Sequence, residues 1–460
     1  MSFGRLPVVI HRFAEIEEST MSDISPTSEE FGPAHMLLNP LAQSKGGDDP
    51  IFYWFTKCLA AKKSGRDVVN GTLGSLLDEA GKLAIIHTVE KQIRNQPSVE
   101  LSGYAPLRGL PSFRELAIEL VLGSNRSTIE QAGLSIISIA TPGGCGALSA
   151  TAANFIDGGD KVLLRSRHWG PYKTIIEERD CKIATWPLLP ETPEAGLNHL
   201  DRGGFANALT ELVQAQNRVL IWLNDPAHNP TGLSLQASER RAVLEEALEH
   251  ALAFPNIGIT LLIDSAYSLY AAEPYGWAST LREEVERRGD FPNNLMLCFA
   301  VSCSKSHTSY GLRTGALVCI HPDSDFTTKL EDVLLHTGRG TWSAAPRVAQ
   351  RAISEIHLDA ELHASWRRER DAFKRLLDER RDALRRAAAA HNLILNPTHD
   401  GYFAFLECRR NQEVCEIAAQ NHDVFLVPLN GGVRIGVCAI PAEQMERVAA
   451  ALADALAQTR

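Results

Sequence analysis

The chain has no apolar run approaching the roughly 18 to 20 residues that would span a bilayer, so no membrane partner is expected. It also lacks an excess of basic charge. Forty-six Lys and Arg against 56 Asp and Glu leave a formal net charge of −10, which speaks against a broad nucleic-acid surface that must neutralise phosphates. Nine scattered cysteines (58, 145, 181, 298, 303, 319, 408, 415 and 438) show no Cys-x-x-Cys spacing, so neither a disulfide frame nor a zinc site is indicated. The fifteen histidines form no His-Glu-x-x-His motif, and no metal site is expected. No long h-region follows the short apolar patch at residues 6–10, and the protein is expected in the cytoplasm.

What is present is the composition of an ordinary globular protein, 44% hydrophobic and 22% charged over 460 residues. That length exceeds one typical domain. Residues 1–47 mix Ser, Thr, Glu, Pro and Gly in the manner of a mobile N-terminal arm. Ser112-x-x-Glu115 reads as a capping box opening a helix that carries Phe113, Leu116, Ala117 and Leu120 on one face. Short apolar runs then alternate with helical stretches: 136–140, 162–164, 219–223, 261–263 and 295–301. Continuous apolar strands separated by helices predict an α/β fold, a mostly parallel sheet covered on both faces. From about Ala344 the pattern becomes helical and then turns to short strands at 401–406 and 433–437. The expected organisation is a large domain over 80–344 and a smaller α+β domain built from 48–79 and 345–460.

In open α/β sheets ligands bind beyond the carboxyl ends of strands, so the polar residues after each apolar run carry the argument. Ser302-Cys303-Ser304-Lys305 follows the run 295–301, and Arg313 comes eight residues later. The Lys305 amine can form a Schiff base with an aldehyde, and Ser302, Ser304 and Arg313 can hold a phosphate dianion. Alone, such a segment reads first as an ordinary surface loop with a solvated lysine. Thr141-Pro142-Gly143-Gly144-Cys145-Gly146 joins a strand to a helix, where backbone N–H groups can approach a phosphate. The third glycine of a dinucleotide motif is missing there. Asp264 ends a strand three residues before Tyr267, as a helix cap or as the partner of a pyridinium nitrogen. Asn229 lies in Asn224-Asp225-Pro226-Ala227-His228-Asn229-Pro230-Thr231-Gly232, a plain turn or a donor to a ring oxygen. His228 reads as structural. Trp169 can pack, or stack on a flat ring.

Together, and in this order, these segments resemble the fold type I aminotransferases of the aspartate and aromatic amino acid group. Asn70-Gly71-Thr72-Leu73-Gly74, Tyr104 ahead of Gly109-Leu110-Pro111, and Val433-Arg434-Ile435 extend the likeness from about residue 48 to the C-terminus. The resemblance implies pyridoxal 5′-phosphate as cofactor, with Lys305 as Schiff-base lysine and proton carrier. It implies ring contacts from Asp264, Tyr267, Asn229 and Trp169, and phosphate contacts from Gly144, Cys145, Ser302, Ser304 and Arg313. Tyr104 is similar to a tyrosine that reaches the phosphate from a neighbouring subunit, which implies a homodimer with its active sites at the interface. Arg434 resembles the arginine that grips the substrate α-carboxylate, and Gly74 a glycine over the substrate. Arg339, ahead of Trp342-Ser343, is similar to the arginine that binds a side-chain carboxylate, and is otherwise a solvated arginine.

Two departures stand out: Cys145 occupies a position where the group usually has threonine, and His307-Thr308-Ser309-Tyr310 differs from the common sequence. The implied reaction moves an amino group from a dicarboxylic or aromatic L-amino acid to a 2-oxo acid. Lyase or decarboxylase chemistry on the same scaffold is the alternative, because cofactor motifs do not fix which bond at Cα breaks. A cofactor-binding regulator would need a basic DNA-binding module, and residues 1–45 offer none.

Overall fold

The structure is a computed structural model that describes residues 37–43, 45–46 and 49–459. Most of the arm expected over residues 1–47 lies outside the described residues. Its described part includes the helix Pro40–Gln43, with the Asn39 side chain accepting from the Ala42 N–H at 2.7 Å. Residues 48–460 form a compact unit of their own.

That unit is built on seven strands: β2 (Ser135–Pro142), β3 (Lys161–Arg165), β4 (Lys182–Trp186), β5 (Arg218–Asn224), β6 (Gly258–Asp264), β7 (Leu295–Ser302) and β8 (Thr314–His321), with β1 (Val69–Asn70) outside this sheet. Their spatial order is β2-β8-β7-β6-β5-β3-β4. Pairing is parallel from β7 through β4, while β8 runs antiparallel to both β2 and β7. Alternate residues feed opposite faces, as a pleated strand requires. Ile221, Leu261 and Phe299 join one apolar cluster with Phe113, Phe205 and Leu248. Leu220, Leu262 and Cys298 join another with Leu148, Tyr172 and Leu334 on the far side. The α/β expectation of a mostly parallel sheet covered on both faces therefore holds.

Two strands go beyond the sequence expectation. β4 lies at the sheet edge with several residues partly exposed, so it carries no continuous apolar run. β8 begins Thr314-Gly315-Ala316, small residues that weaken a strand signal, although the whole strand is buried. The expected capping box at Ser112 is corrected: the helix runs Pro111–Leu122 with Leu110 as N-cap and no side-chain cap bond. Pro111, with its fixed φ, takes the first helical position and leaves Ser112 inside the turn. Glu115 then turns outward to pair with Arg126 at 2.8 Å. A true capping box forms at Gln236 and Glu239, opening the helix Ala237–Ala253.

Beyond β8 come helices Ser324–Thr341, Arg347–Leu358 and Ala360–Ala390, the last opened by Asp359 accepting from Glu361 and Leu362 N–H groups at 2.9 Å. A three-stranded antiparallel sheet follows, β11 (Val427–Leu429), β12 (Gly432–Ile435) and β9 (Ala404–Glu407), with β10 (Val424–Phe425) pairing in parallel with β1. A separate apolar cluster joins Trp54, Cys58 and Val69 to Val414, Phe425, Val433 and Leu452. No helix among the described residues is long and apolar enough to cross a membrane.

Gly232 fastens the Asn229 turn to the chain near β9. Its φ is +73°, its carbonyl accepts from the His399 and Asp400 N–H groups at 2.8 and 2.9 Å, and an added Cβ would overlap the Phe403 carbonyl oxygen. Gly232→Ala is expected to lower stability by about 2–4 kcal/mol in chemical unfolding, because backbone rather than a flexible side chain must yield. Gly340→Ala, in open space within the helix Ser324–Thr341, should leave stability unchanged or raise it by up to about 1 kcal/mol.

Candidate active site

The strand register determines which residues meet. Asn224 lies opposite Asp264, and Asp264 opposite Ala300. Because β8 is antiparallel to its neighbours, its first residues lie beside the last residues of β2 and β7: Thr314 opposite Pro142, and Gly315 opposite Ser302. The segments leaving β2, β5, β6 and β7 and the segment entering β8 thus converge on one edge of the sheet. They enclose a pocket lined by Gly144, Cys145, Trp169, Asn229, Asp264, Tyr267, Ser302, Ser304, Lys305 and Arg313, all expected from sequence, together with Leu148, Asn224 and Ala266. A larger cleft at the opposite strand ends is lined mainly by apolar and amide side chains such as Phe155, Leu295, Phe326 and Asn294.

One end of the pocket suits an anion. The helix Gly143–Asn154 starts there with no side-chain cap on its first N–H groups, leaving donors and a positive helix end facing the cavity. Arg313, held in the left-handed region at φ 48°, ψ 53°, donates from Nη1 to Ser304 Oγ at 3.2 Å and to the Tyr310 carbonyl at 3.0 Å. Its guanidinium lies against Gly143, where a Cβ would come within 2.6 Å of Nη2. Gly143 also has φ +70°, so glycine answers both the conformation and the close approach. Ser302 Oγ accepts from the Ser304 N–H at 3.4 Å. The Cys145 thiol is pushed up by burial, with Arg313 and Lys305 acting against that shift.

The other end is aromatic and acidic. Asp264 accepts from the Tyr172 hydroxyl at 2.6 Å and the Ala266 N–H at 3.1 Å. Burial raises its carboxyl above the usual range, and the Tyr172 hydrogen bond opposes the rise. Asn224 bridges the segments, donating to the Asp264 carbonyl at 2.9 Å and accepting from the Asn229 N–H at 2.7 Å. Asn229 Nδ2 donates to the Tyr267 hydroxyl at 3.4 Å, while its Oδ1 is buried without a partner. Trp169 meets Tyr172 edge-on at 5.6 Å. His228 is a buried structural residue, its Nδ1 2.8 Å from Thr231 Oγ1.

Lys305 stands on the short helix Cys303–Ser306 immediately after β7. Its Nζ is 5.1 Å from the centre of the Tyr267 ring. Desolvation pushes the amine below the ordinary lysine value, with the Asp264 charge opposing. Four expected residues lie outside the pocket lining. Arg434, on β12, is buried, donates from Nη2 to the Thr72 carbonyl at 2.7 Å, and lies with Cζ 4.5 Å from the Phe403 ring centre. Its Nε has no partner. Gly74 faces Phe403, whose Cζ would be 3.6 Å from an added Cβ. Tyr104 is 87% exposed, and the exposed Arg339 donates to Ser343 Oγ at 2.6 Å.

Tyr172 and Asn224 are the site residues that sequence reasoning passed over. Tyr172 follows Trp169 by three residues across the start of the helix Pro171–Glu177, and an amide closing the apolar strand β5 was the available signal for Asn224.

These residues fit pyridoxal phosphate. The glycine helix start, the two hydroxyls and Arg313 supply donors for a phosphate. The buried Asp264 matches a pyridinium nitrogen, the Tyr267 hydroxyl and the Asn229 amide N–H groups are donors that suit a ring oxygen, and the desolvated Lys305 matches an aldehyde. Fold and site define a pyridoxal-phosphate enzyme of fold type I.

The family model for aminotransferase class I and II matches residues 66–452, and the chain belongs to that family. The mitochondrial aspartate aminotransferase of Dictyostelium discoideum is 26% identical over 419 residues, covering 89% of this chain and 91% of that protein. The aromatic-amino-acid aminotransferase of Pseudomonas aeruginosa is 26% identical over 397 residues, covering 84% and 91%. Among solved structures, an aminotransferase of Anaerococcus prevotii superposes with TM-score 0.84 at 28% identity, over 91% of this chain and 98% of that one. An aromatic-amino-acid aminotransferase of Burkholderia pseudomallei, solved covalently bound to pyridoxal phosphate, shares the fold with TM-score 0.70 at 20% identity, covering 91% and 100%. The protein is a pyridoxal-phosphate-dependent aminotransferase, and the lyase or decarboxylase alternative is not favoured.

The depressed amine gives a direct expectation. In the cofactor-free protein, competitive acylation followed by peptide mass spectrometry should find Lys305 reacting with a midpoint below the ordinary lysine value. A midpoint at that value would mean that the amine is not desolvated.

Proposed function

We propose that the protein transfers the amino group of a dicarboxylic or aromatic L-amino acid to a 2-oxo acid, with Lys305, Asp264 and Arg434 as the working groups. The observation that carries this reading is Arg434. Its guanidinium is buried, burial pushes it below the ordinary arginine value, and among the described residues no carboxylate is paired with it. A buried cation without an acid partner is costly unless a ligand supplies the anion, and an α-carboxylate fits its planar fork. Contacts run from Arg434 through the Phe403 ring to Tyr267 and so to Lys305, which supports a carboxylate grip linked to the amine by one line of side chains.

Bound pyridoxal phosphate supplies an aldehyde that condenses with amines and a ring that delocalises the electrons left when a Cα–H bond breaks. Lys305 Nζ, held toward its uncharged form by desolvation, would be free to take the proton from the substrate Cα and to carry it onward. Asp264, steadied by Tyr172, would pair with the ring nitrogen. Trp169 would stack on the ring, and Tyr267 and Asn229 would hold the ring oxygen. Burial raises the Tyr267 phenol above its ordinary value, so it stays a hydrogen donor. Gly144, Ser302, Ser304 and Arg313 would bind the phosphate, with Cys145 offering a thiol where a hydroxyl would donate more strongly. Gly74 would lie over the substrate.

The protein acts as a homodimer in this reading, with Tyr104 reaching the phosphate and Arg339 the substrate side chain across the interface. Tyr104 lies among exposed Val99, Leu101 and Leu107, an apolar surface of the kind that marks association. The chain divides into a cofactor-binding domain over 80–344 and a smaller domain of 48–79 and 345–460, supported by the separate cluster formed from residues 54–69 and 384–455. Free thiols at all nine cysteines fit a reducing compartment, the cytoplasm.

Lys305→Ala should abolish amino transfer and the visible band of lysine-bound cofactor. Retained transfer would end the proposal. In a half-reaction screen followed spectrally over aspartate, glutamate, tyrosine, phenylalanine and basic amino acids, Arg339→Ala should lose dicarboxylates selectively. Equal loss across all substrates would remove Arg339 from the specificity role. Tyr172→Phe should weaken cofactor retention about tenfold, the loss expected for one hydrogen bond to a charged group, as measured by dialysis of the holoenzyme.

A further inference from the structure

The departure between Lys305 and Arg313 contains a histidine that the reaction does not use. His307 is wholly buried. Its Nδ1 lies 2.9 Å from the Ser306 hydroxyl, and its Nε2 lies 3.0 Å from Nε2 of His357 on the helix Arg347–Leu358. Its ring stacks on Trp366 at 5.0 Å and 14°. The Trp366 indole N–H, from the helix Ala360–Ala390, donates to the Ser306 carbonyl at 3.2 Å. Ser306 Oγ in turn lies 3.5 Å from the Ser302 carbonyl. The four-residue helix that bears Lys305 is therefore gripped from behind by two long helices, through its last residue and the histidine after it.

The chemistry of the groups gives this chain a direction. Two facing imidazole nitrogens bond only when one carries hydrogen and the other a lone pair. A carbonyl can only accept, so the Ser306 hydroxyl donates to Ser302. His307 Nδ1–H must then donate to Ser306 Oγ, leaving His307 Nε2 to accept from His357 Nε2–H. One sequence of donations, from His357 to His307 to Ser306 to the Ser302 carbonyl, satisfies every member. Burial holds His307 well below the ordinary imidazole value and pushes His357 to about 3, with His363 and Arg370 adding to both shifts. The chain therefore stays intact through the neutral range.

We propose that His307 is a positioning residue, linked through His357 into a directed hydrogen-bond chain that fixes the turn carrying Ser302 and Lys305 against the two helices. This rests on Lys305 as the lysine that bonds the cofactor.

The test compares three holoenzyme variants. His307→Phe keeps a ring on Trp366 but removes both hydrogen bonds, His357→Phe removes only the distal donor, and His307→Gln keeps a donor and an acceptor. The readouts are the pH midpoint of the visible cofactor band, kcat and KM separately, and thermal stability. Both phenylalanine variants should shift the spectral midpoint in the same direction and lower kcat about ten- to a hundredfold, the range expected for a misplaced reacting group, with KM within about twofold. His307→Gln should recover most of the loss. Folded phenylalanine variants with the wild-type midpoint and kcat would overturn the proposal, as would a loss of thermal stability alone. Should His307→Phe not fold, His357→Phe and the ¹⁵N shifts of the wild-type rings decide. The chain requires Nδ1–H at His307 and Nε2–H at His357, and the opposite tautomers or a charged ring would refute it. Absence of the visible band from wild type as well would point to a failure of the lysine assignment instead.

Discussion

The active edge depends on the antiparallel insertion of β8 between β2 and β7. That register puts Gly315 opposite both Thr141 and Ser302, so the residue leaving β2, the residues leaving β7 and the arginine entering β8 share one line. Arg313 then lies over Gly143, and Ser302 and Lys305 face the same cavity. Side chains alternate along a strand, and a one-residue slip of β8 would carry its whole buried set to the wrong face. Burial on both faces of the strand makes such a slip expensive. The core and the catalytic geometry are thus specified by the same register.

The second constraint is electrostatic. Lys305 and Arg313 line the pocket with Asp264, and the buried guanidinium of Arg434 lies against the Phe403 ring. Buried charge that the chain itself does not neutralise is a cost, which in the proposed reaction a cofactor phosphate and a substrate carboxylate would offset. Two of the buried polar atoms without a partner, Asn229 Oδ1 and Arg434 Nε, belong to residues of this proposed site. The helix Ala360–Ala390 spans the arrangement: Trp366 bonds the turn behind Lys305, while the buried Arg380 donates to the Leu77 and Cys438 carbonyls near Gly74 and Arg434. One helix therefore touches both the lysine turn and the segments around Gly74 and Arg434.

Much of this was legible in the sequence for a simple reason. Ligands in α/β sheets collect at carboxyl strand ends, and continuous apolar runs mark where strands stop, so Asn229, Asp264, Ser302 and Lys305 could be found by looking just past each run. Residues whose importance comes from what they touch were not legible. Tyr172 matters because its hydroxyl meets a carboxylate 92 positions away, and His307 because the long helices bring His357 and Trp366 to it. The Ser112 expectation failed because a proline one residue earlier had the stronger claim on the helix start. Tyr104 and Arg339 lie outside the pocket lining, and the roles proposed for them require a second subunit.

The central claim is that Lys305 is the residue joined to the cofactor. Borohydride reduction of the holoenzyme, followed by digestion and mass spectrometry, tests it most directly. The account predicts one phosphopyridoxyl adduct, on the peptide containing Ser302-Cys303-Ser304-Lys305. An adduct on any other lysine, or none on a protein that carries the cofactor, would contradict it.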